Sequence, residues 1–269
     1  MSATTSSERA LARGWAALSA RRRAGLVTYL TAGFPSVAAS REAFRAADEL
    51  ADVIEVGVPF SDPLADGPTI QRSTFAALQQ GMTLPGTLEL IGEVGFTKPV
   101  VVFSYLNPIL RYGLTRFLRD AASLGVAGLL LTDLPAGSDP AVEQEVAASP
   151  LDLIRLLAPT TPPARLAVAA AEARGFLYLV SRLGVTGAST SVATDLEASI
   201  ARVRAVSSLP IAVGFGLSTA AQVSQVARLA EGVVVGSALV DRLGSGGVAG
   251  ARDLLTELRD ALDAVERPV

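Results

Sequence analysis

Residues 54–71, IEVGVPFSDPLADGPTIQ, hold the densest set of groups in the chain that could do chemistry. Glu55 sits near the end of an apolar run, and Asp66 follows in a loop that also holds Asp62, Pro59, Pro63 and Pro68. A carboxyl group held among apolar walls keeps its proton to higher pH, which suits it to proton exchange near neutrality. A loop stiffened by prolines can hold a second acid over such a pocket at lower entropic cost. A purely structural reading competes with this one: Glu55 pairs with an arginine, and Asp62 and Asp66 only shape turns. Tyr105 and Tyr178, on later apolar runs, could line the same pocket or simply pack.

What the chain lacks narrows the chemistry. Its 269 residues include no histidine and no cysteine, and Lys98 is the single lysine. The first absence removes the commonest acid–base residue and metal ligand, and the second removes thiol chemistry and disulfides. A Schiff-base aldolase needs a lysine in its pocket, but Lys98 precedes Pro99 at the N-terminal end of its strand. A zinc aldolase normally needs histidines. Acid–base work by carboxylates, with no metal and no cofactor, is what remains.

The late glycines suggest what the substrate carries. Three turns, SRLGVTGAST (181–190), GFGLST (214–219) and GSALV (236–240), follow consecutive apolar runs. Gly187, Gly216 and Gly236 would let backbone N–H groups approach an anion, and Ser237 would open a helix whose N-terminus favours negative charge. Glycines that merely close tight turns are the alternative for any one of them.

These residues need a frame. Eight short apolar runs read as buried strands: 26–30, 52–56, 99–105, 128–132, 153–157, 176–181, 210–214 and 232–236. Helix-like stretches lie between them, with Ala43, Ala46, Ala47 and Leu50 on one face of 40–51 and Phe117, Leu118, Ala121 and Leu124 on one face of 114–125. A third, 218–231, opens with the N-cap candidate Ser218. The alternation predicts an α/β protein, a (β/α)8 TIM barrel, with the site at the C-terminal ends of its strands. An open doubly wound sheet is the runner-up, and no GxGxxG follows the first strand to support it. The expected organisation is one domain over 1–269, with an extra N-terminal helix at about 7–23 covering the barrel bottom and the barrel itself at about 26–265. GSGGVAG (244–250) reads as a linker to a last helix, with Leu254, Leu255, Leu258, Leu262 and Val265 on its apolar side. Period-two alternation places Val53 and Glu55 on one side of the second strand and Ile54 and Val56 on the other.

The net charge of −3 carries no basic bias, which argues against nucleic acid. No apolar run is long enough to cross a bilayer. The start has no apolar core of the kind a secretory signal carries, and a cytoplasmic enzyme is expected.

GVPFSDPLADGPTIQ, with YLTAGFP (29–35), SYLNP (104–108), TDLP (132–135), SRLGVTG (181–187) and VGFG (213–216), closely resembles the tryptophan synthase alpha subunit. The likeness runs in order from about residue 26 to 243. It implies a β/α barrel that cleaves indole-3-glycerol phosphate to indole and glyceraldehyde 3-phosphate. Indole then passes to a pyridoxal-phosphate beta subunit within an alpha-beta-beta-alpha heterotetramer, with no cofactor in this chain itself. By that resemblance, Glu55 is the acid–base residue and Asp66 stabilises charge on the indole nitrogen. Tyr178 lies near the reacting carbons, and Tyr29, Phe103 and Tyr105 meet the ring. Gly187, Gly216, Gly236 and Ser237 match phosphate-binding positions. Residues 182–195, with Arg182 and Thr186, match a mobile lid, while Asp62, Asn107 and Pro135 face the partner. Tyr29 stands where a phenylalanine is common, which adds a hydroxyl. A stand-alone lyase releasing free indole, or a weak activator of the beta subunit, would share much of this sequence. Retention of both Glu55 and Asp66 argues against the activator.

Overall fold

The computed structural model describes residues 9–180, 190–214 and 216–266, and the side chains of 190–194 are excluded from the description. After helix α1 (Ala10–Ala20) the chain runs β1 (Gly25–Thr31), α2 (Val37–Leu50), β2 (Val53–Gly57), α3 (Pro68–Gln79) and α4 (Leu84–Val94). It continues β3 (Val100–Ser104), α5 (Leu106–Tyr112), α6 (Leu114–Ser123), β4 (Val126–Leu131), α7 (Pro140–Ala148) and β5 (Asp152–Leu157). The last elements are α8 (Pro163–Glu172), β6 (Leu177–Val180), α9 (Thr190–Arg204), β7 (Ile211–Gly214), α10 (Ala220–Ala227), β8 (Gly232–Val235) and α11 (Ser237–Asp263). Each strand pairs in parallel with the next, and β8 returns to β1, so the sheet closes into the expected barrel.

Strand alternation sorts the side chains into two apolar layers. Val27, Val53, Val101, Leu130, Ile154, Ala212 and Val234 fill the barrel interior, while Leu26, Ile54, Val56, Val100, Val102 and Leu129 pack outward among the helices. Val53 therefore points inward, and the same parity carries Glu55 inward one step nearer the strand's C-terminal end.

The lower end is stoppered by α1. Leu11, Trp15 and Leu18 join the interior cluster, and the Trp15 ring meets Phe176 edge-on at 5.6 Å. Glycine makes room for the indole: a Cβ at Gly232 would lie 2.6 Å from Trp15 Cη2. The start of the helix is fastened by Arg9, which donates to the carbonyls of Ser149 and Pro150 and to the buried Asp152 carboxylate at 3.0 Å.

Two local expectations change. The stretch 244–250 is not a linker but lies within α11, which bends only at Gly247 (φ 63°, ψ −162°). Four glycines suggested a loop, yet the packing of Leu239, Val240, Leu243, Ala251 and Leu254 holds both limbs as helix. The N-cap of α10 is Thr219 rather than Ser218, because Gln222 completes a reciprocal capping box with Thr219.

Because Trp15 fills the interior from below, Trp15→Ala should destabilise the fold by about 3–5 kcal/mol. Urea unfolding of the two proteins measures this. A change under about 1 kcal/mol, the scale of ordinary surface substitutions, would mean that α1 is not part of the core.

Candidate active site

A cavity of about 190 Å³ opens at the C-terminal ends of the strands. Tyr29 of β1, Glu55 of β2, Phe103 of β3, Tyr178 of β6, and Gly236 with Ser237 after β8 all line it, as do Asp66 and Gly216 from loops. Four strands, the start of α11 and two loops thus bring the expected residues to one chamber.

Glu55 is 1% exposed. Its register neighbours are Tyr29 on β1 and Val101 on β3. No ion pair reaches it among the described residues, and its Oε1 has no hydrogen-bond partner. The arginine pairing is thereby set aside. An unpaired buried carboxylate is costly, so the neutral acid is favoured: burial pushes Glu55 from 4.5 up to about 8.

Asp66 experiences a milder environment. Tyr105 Oη donates to its Oδ2 at 3.1 Å and accepts from the Ala65 N–H at 2.9 Å, so one phenol holds both the acid and its loop. The loop is tied further by the Asp66 N–H to the Pro63 carbonyl and by Gln71 Nε2 to the Asp66 carbonyl. Burial raises Asp66 to about 6, and the Tyr105 hydrogen bond opposes that rise. The two carboxyl groups thus lie on either side of neutral pH.

The phenols are set by glycines. A Cβ at Gly57 would fall 2.2 Å from Tyr29 Oη, and one at Gly214 would fall 2.3 Å from Tyr178 Oη. Neither hydroxyl could occupy its place beside a larger residue. Burial raises both phenols well above their ordinary value, for Tyr178 with help from the nearby Glu55 carboxylate, so both stay protonated. Tyr29 and Phe103 meet edge-on at 5.1 Å and form an aromatic wall.

The opposite wall offers backbone donors. Gly216 has φ 72°, a conformation that favours glycine, and Gly236 precedes Ser237 at the start of α11. The first-turn N–H groups of that helix have no carbonyl partner within it, so they are available to an anion in the cavity.

Some expected residues fall elsewhere. Tyr105 is not part of the cavity wall; its ring lies tilted against Phe60 at 5.2 Å and its hydroxyl reaches Asp66. Asp62 and Pro135 are exposed on loops at the strand ends, whereas Asn107, also exposed, lies in the first turn of α5 rather than in a loop. Arg182, Thr186 and Gly187 lie outside the described residues. Ala65, Gly67, Ile70, Thr132, Leu156 and Val180 also line the cavity without having been expected there. Leu156 and Val180 were accessible in principle, since they share inward parity with Ile154 and Tyr178. The others sit on loops or a helix start, where no periodicity marks a direction.

The family model described as "Tryptophan synthase alpha chain" matches residues 15–266. A tryptophan synthase alpha chain of Chloroflexus aurantiacus is 44% identical over 266 residues, covering 96% of this chain and 99% of the relative. One from Citrifermentans bemidjiense is 48% identical over 229 residues, covering 84% and 86%. Among solved structures, Mycobacterium tuberculosis tryptophan synthase superposes with a TM-score of 0.86 at 41% identity, covering 94% of this chain and 97% of that one. Tryptophan synthase subunit alpha from Legionella pneumophila does so at 0.89 and 32%, covering 96% and 100%.

The burial of Glu55 should be visible in stability. Below pH 4.5 the group is protonated in both folded and unfolded chains; between 4.5 and about 8 the unfolded chain releases its proton while the fold retains it. Stability from this group therefore falls as pH rises across that window and is level beyond it. Glu55→Gln removes the effect and should be more stable than the parent at pH 8 by roughly 1–4 kcal/mol, with little difference at pH 4.5. Thermal melts of both proteins across the window test this, and a gap that does not widen with pH would rule it out.

Proposed function

The chain belongs to the tryptophan synthase alpha chain family, lyases of tryptophan biosynthesis that cleave indole-3-glycerol phosphate, and we propose that Glu55 and Asp66 divide the proton and charge handling of that cleavage between them. The observation that carries the proposal is the pairing, in one cavity, of an acid raised to about 8 with another raised only to about 6. At neutral pH the first is largely protonated and the second largely ionised, the combination an acid donor and a cation stabiliser require.

Protonated Glu55 gives its proton to C3 of the indole ring, leaving a cation shared with the ring nitrogen. The ionised Asp66 accepts a hydrogen bond from that N–H and stabilises the cation. The ring is now an electron sink. As Glu55, now a carboxylate, takes the proton from the hydroxyl on the adjoining side-chain carbon, a carbonyl forms there and the carbon–carbon bond breaks. The bonding electrons return to the ring. Indole and glyceraldehyde 3-phosphate leave, and Glu55 holds a proton again. Tyr178, protonated beside Glu55, is proposed to donate a hydrogen bond to the reacting oxygen. The aromatic wall of Tyr29 and Phe103 takes the ring, and the backbone N–H groups at Gly216, Gly236 and Ser237 take the phosphate. Gly187 is proposed for the same role, and Arg182 and Thr186 are proposed to belong to a lid.

The cleavage as written uses only these side chains, and pyridoxal phosphate belongs to the proposed partner, a beta subunit that consumes indole. Asp62, Asn107 and Pro135 are proposed to meet it. Near them, Leu64 is 91% exposed and Leu110 48%, large apolar groups that suit a protein contact. Titration with a beta subunit should raise indole release; unchanged turnover would favour a stand-alone lyase.

Two measurements test the acid–base assignment. Indole release should have a kcat/KM that rises through about pH 6 as Asp66 ionises and falls through about pH 8 as Glu55 loses its proton. Glu55→Gln should lower kcat by about 10²–10⁴-fold, the range for loss of a positioned acid–base group, with substrate affinity retained within about tenfold. Parent-level release by that variant would falsify the assignment.

A further inference from the structure

Three hydroxyls behind the aromatic wall form a chain. Tyr29 Oη lies 3.4 Å from Thr31 Oγ1, Thr31 Oγ1 lies 2.7 Å from Ser73 Oγ, and Ser73 Oγ donates to the Ile70 carbonyl at 2.9 Å. Thr31 and Ser73 are each 1% exposed, so solvent offers them no alternative partner. Each hydroxyl has one proton to give, and the carbonyl at the end can only accept. Ser73 therefore donates to Ile70, Thr31 to Ser73, and Tyr29 to Thr31. Proton counting fixes the direction of the whole chain and leaves the Tyr29 oxygen with acceptor capacity alone toward the cavity.

The two ends of the chain belong to different elements. Tyr29 and Thr31 are on β1, held between β2 and β8. Ile70 and Ser73 are in the first two turns of α3, which begins at Pro68 just after Asp66. The same turn holds the acid's own backbone, because Gln71 Nε2 donates to the Asp66 carbonyl at 2.9 Å and the Gln71 N–H donates to the Gly67 carbonyl at 3.0 Å. A rigid strand is thus linked by side-chain hydroxyls to the helix start from which the Asp66 loop hangs.

We propose that the Tyr29–Thr31–Ser73 hydroxyl chain is a positioning device that locks the first turn of α3 to the end of β1 and so fixes Asp66 relative to Glu55. It rests on the reading of Asp66 as the group that stabilises the ring cation. Thr31 and Ser73 are positioning residues, removed from the reacting atoms, and the hydroxyl of Tyr29 is the third link. The space left by Gly57 is what permits that third link.

The test is Ser73→Ala, with Ser73→Thr as the variant that keeps a hydroxyl and Asp66→Asn as the control for the underlying reading. Loss of one buried hydrogen bond should speed amide exchange at Gln71, whose N–H is the first of α3 with a backbone partner, by about three- to tenfold in Ser73→Ala, with strand amides unchanged and Ser73→Thr near the parent. Indole release should fall by a similar factor, mainly in kcat, and the acid limb of its pH profile should move. Tyr29→Phe combined with Ser73→Ala should cost no more than the worse single variant, since both break one chain. Unchanged exchange in Ser73→Ala overturns the proposal whatever Asp66→Asn does. Faster exchange with an unaltered pH profile, while Asp66→Asn is inactive, overturns the link from helix to acid. Full activity of Asp66→Asn sinks the reading of Asp66 instead, and the exchange data still decide whether the chain holds the helix.

Discussion

A carboxyl group sealed in a barrel without a counter-charge is the constraint around which the rest of the molecule is arranged. Glu55 faces Tyr29, Val101 and Tyr178 rather than an arginine, and its Oε1 has no partner. Such a group destabilises the fold when ionised, and the barrel tolerates it because two apolar layers and a stoppered base supply a large core around it. Local instability at this point is the source of the raised proton affinity. An arginine beside it would have relieved the strain on folding and removed the acid.

Asp66 differs because its surroundings differ. It hangs from a loop, receives a phenol hydrogen bond and is only partly buried, so its proton affinity rises less. Chemically similar side chains thus hold their protons to different pH through position alone. Glycines serve the same division of labour from the other side. Gly57 and Gly214 matter for the room they leave to Tyr29 and Tyr178, whereas Gly216 matters for the backbone path it allows.

The barrel was readable from the sequence because parallel strands buried on both faces appear as short apolar runs, and all eight runs coincide with strands to within two residues at either end. The inward direction of Glu55 followed from parity with Val53. Where regular period fails, so does the reading. The glycine-rich 244–250 stretch resembled a linker because local propensity outweighs packing when only neighbours are visible, yet α11 continues through it. The task of Tyr105 could not be inferred, since it depends on where a nonrepetitive loop carries Asp66. The hydroxyl chain was hidden for another reason: Thr31 and Ser73 are forty-two positions apart, and neither type announces a partner.

The stopper formed by α1 has a consequence for traffic. With Leu11, Trp15 and Leu18 packed into the lower end, the chamber is a blind well rather than a pipe. Substrate, indole and the phosphorylated aldehyde must all use the rim that carries Asp62, Asn107 and Pro135. The base of the barrel, remote from the two acids, thus leaves entry and exit to its opposite face.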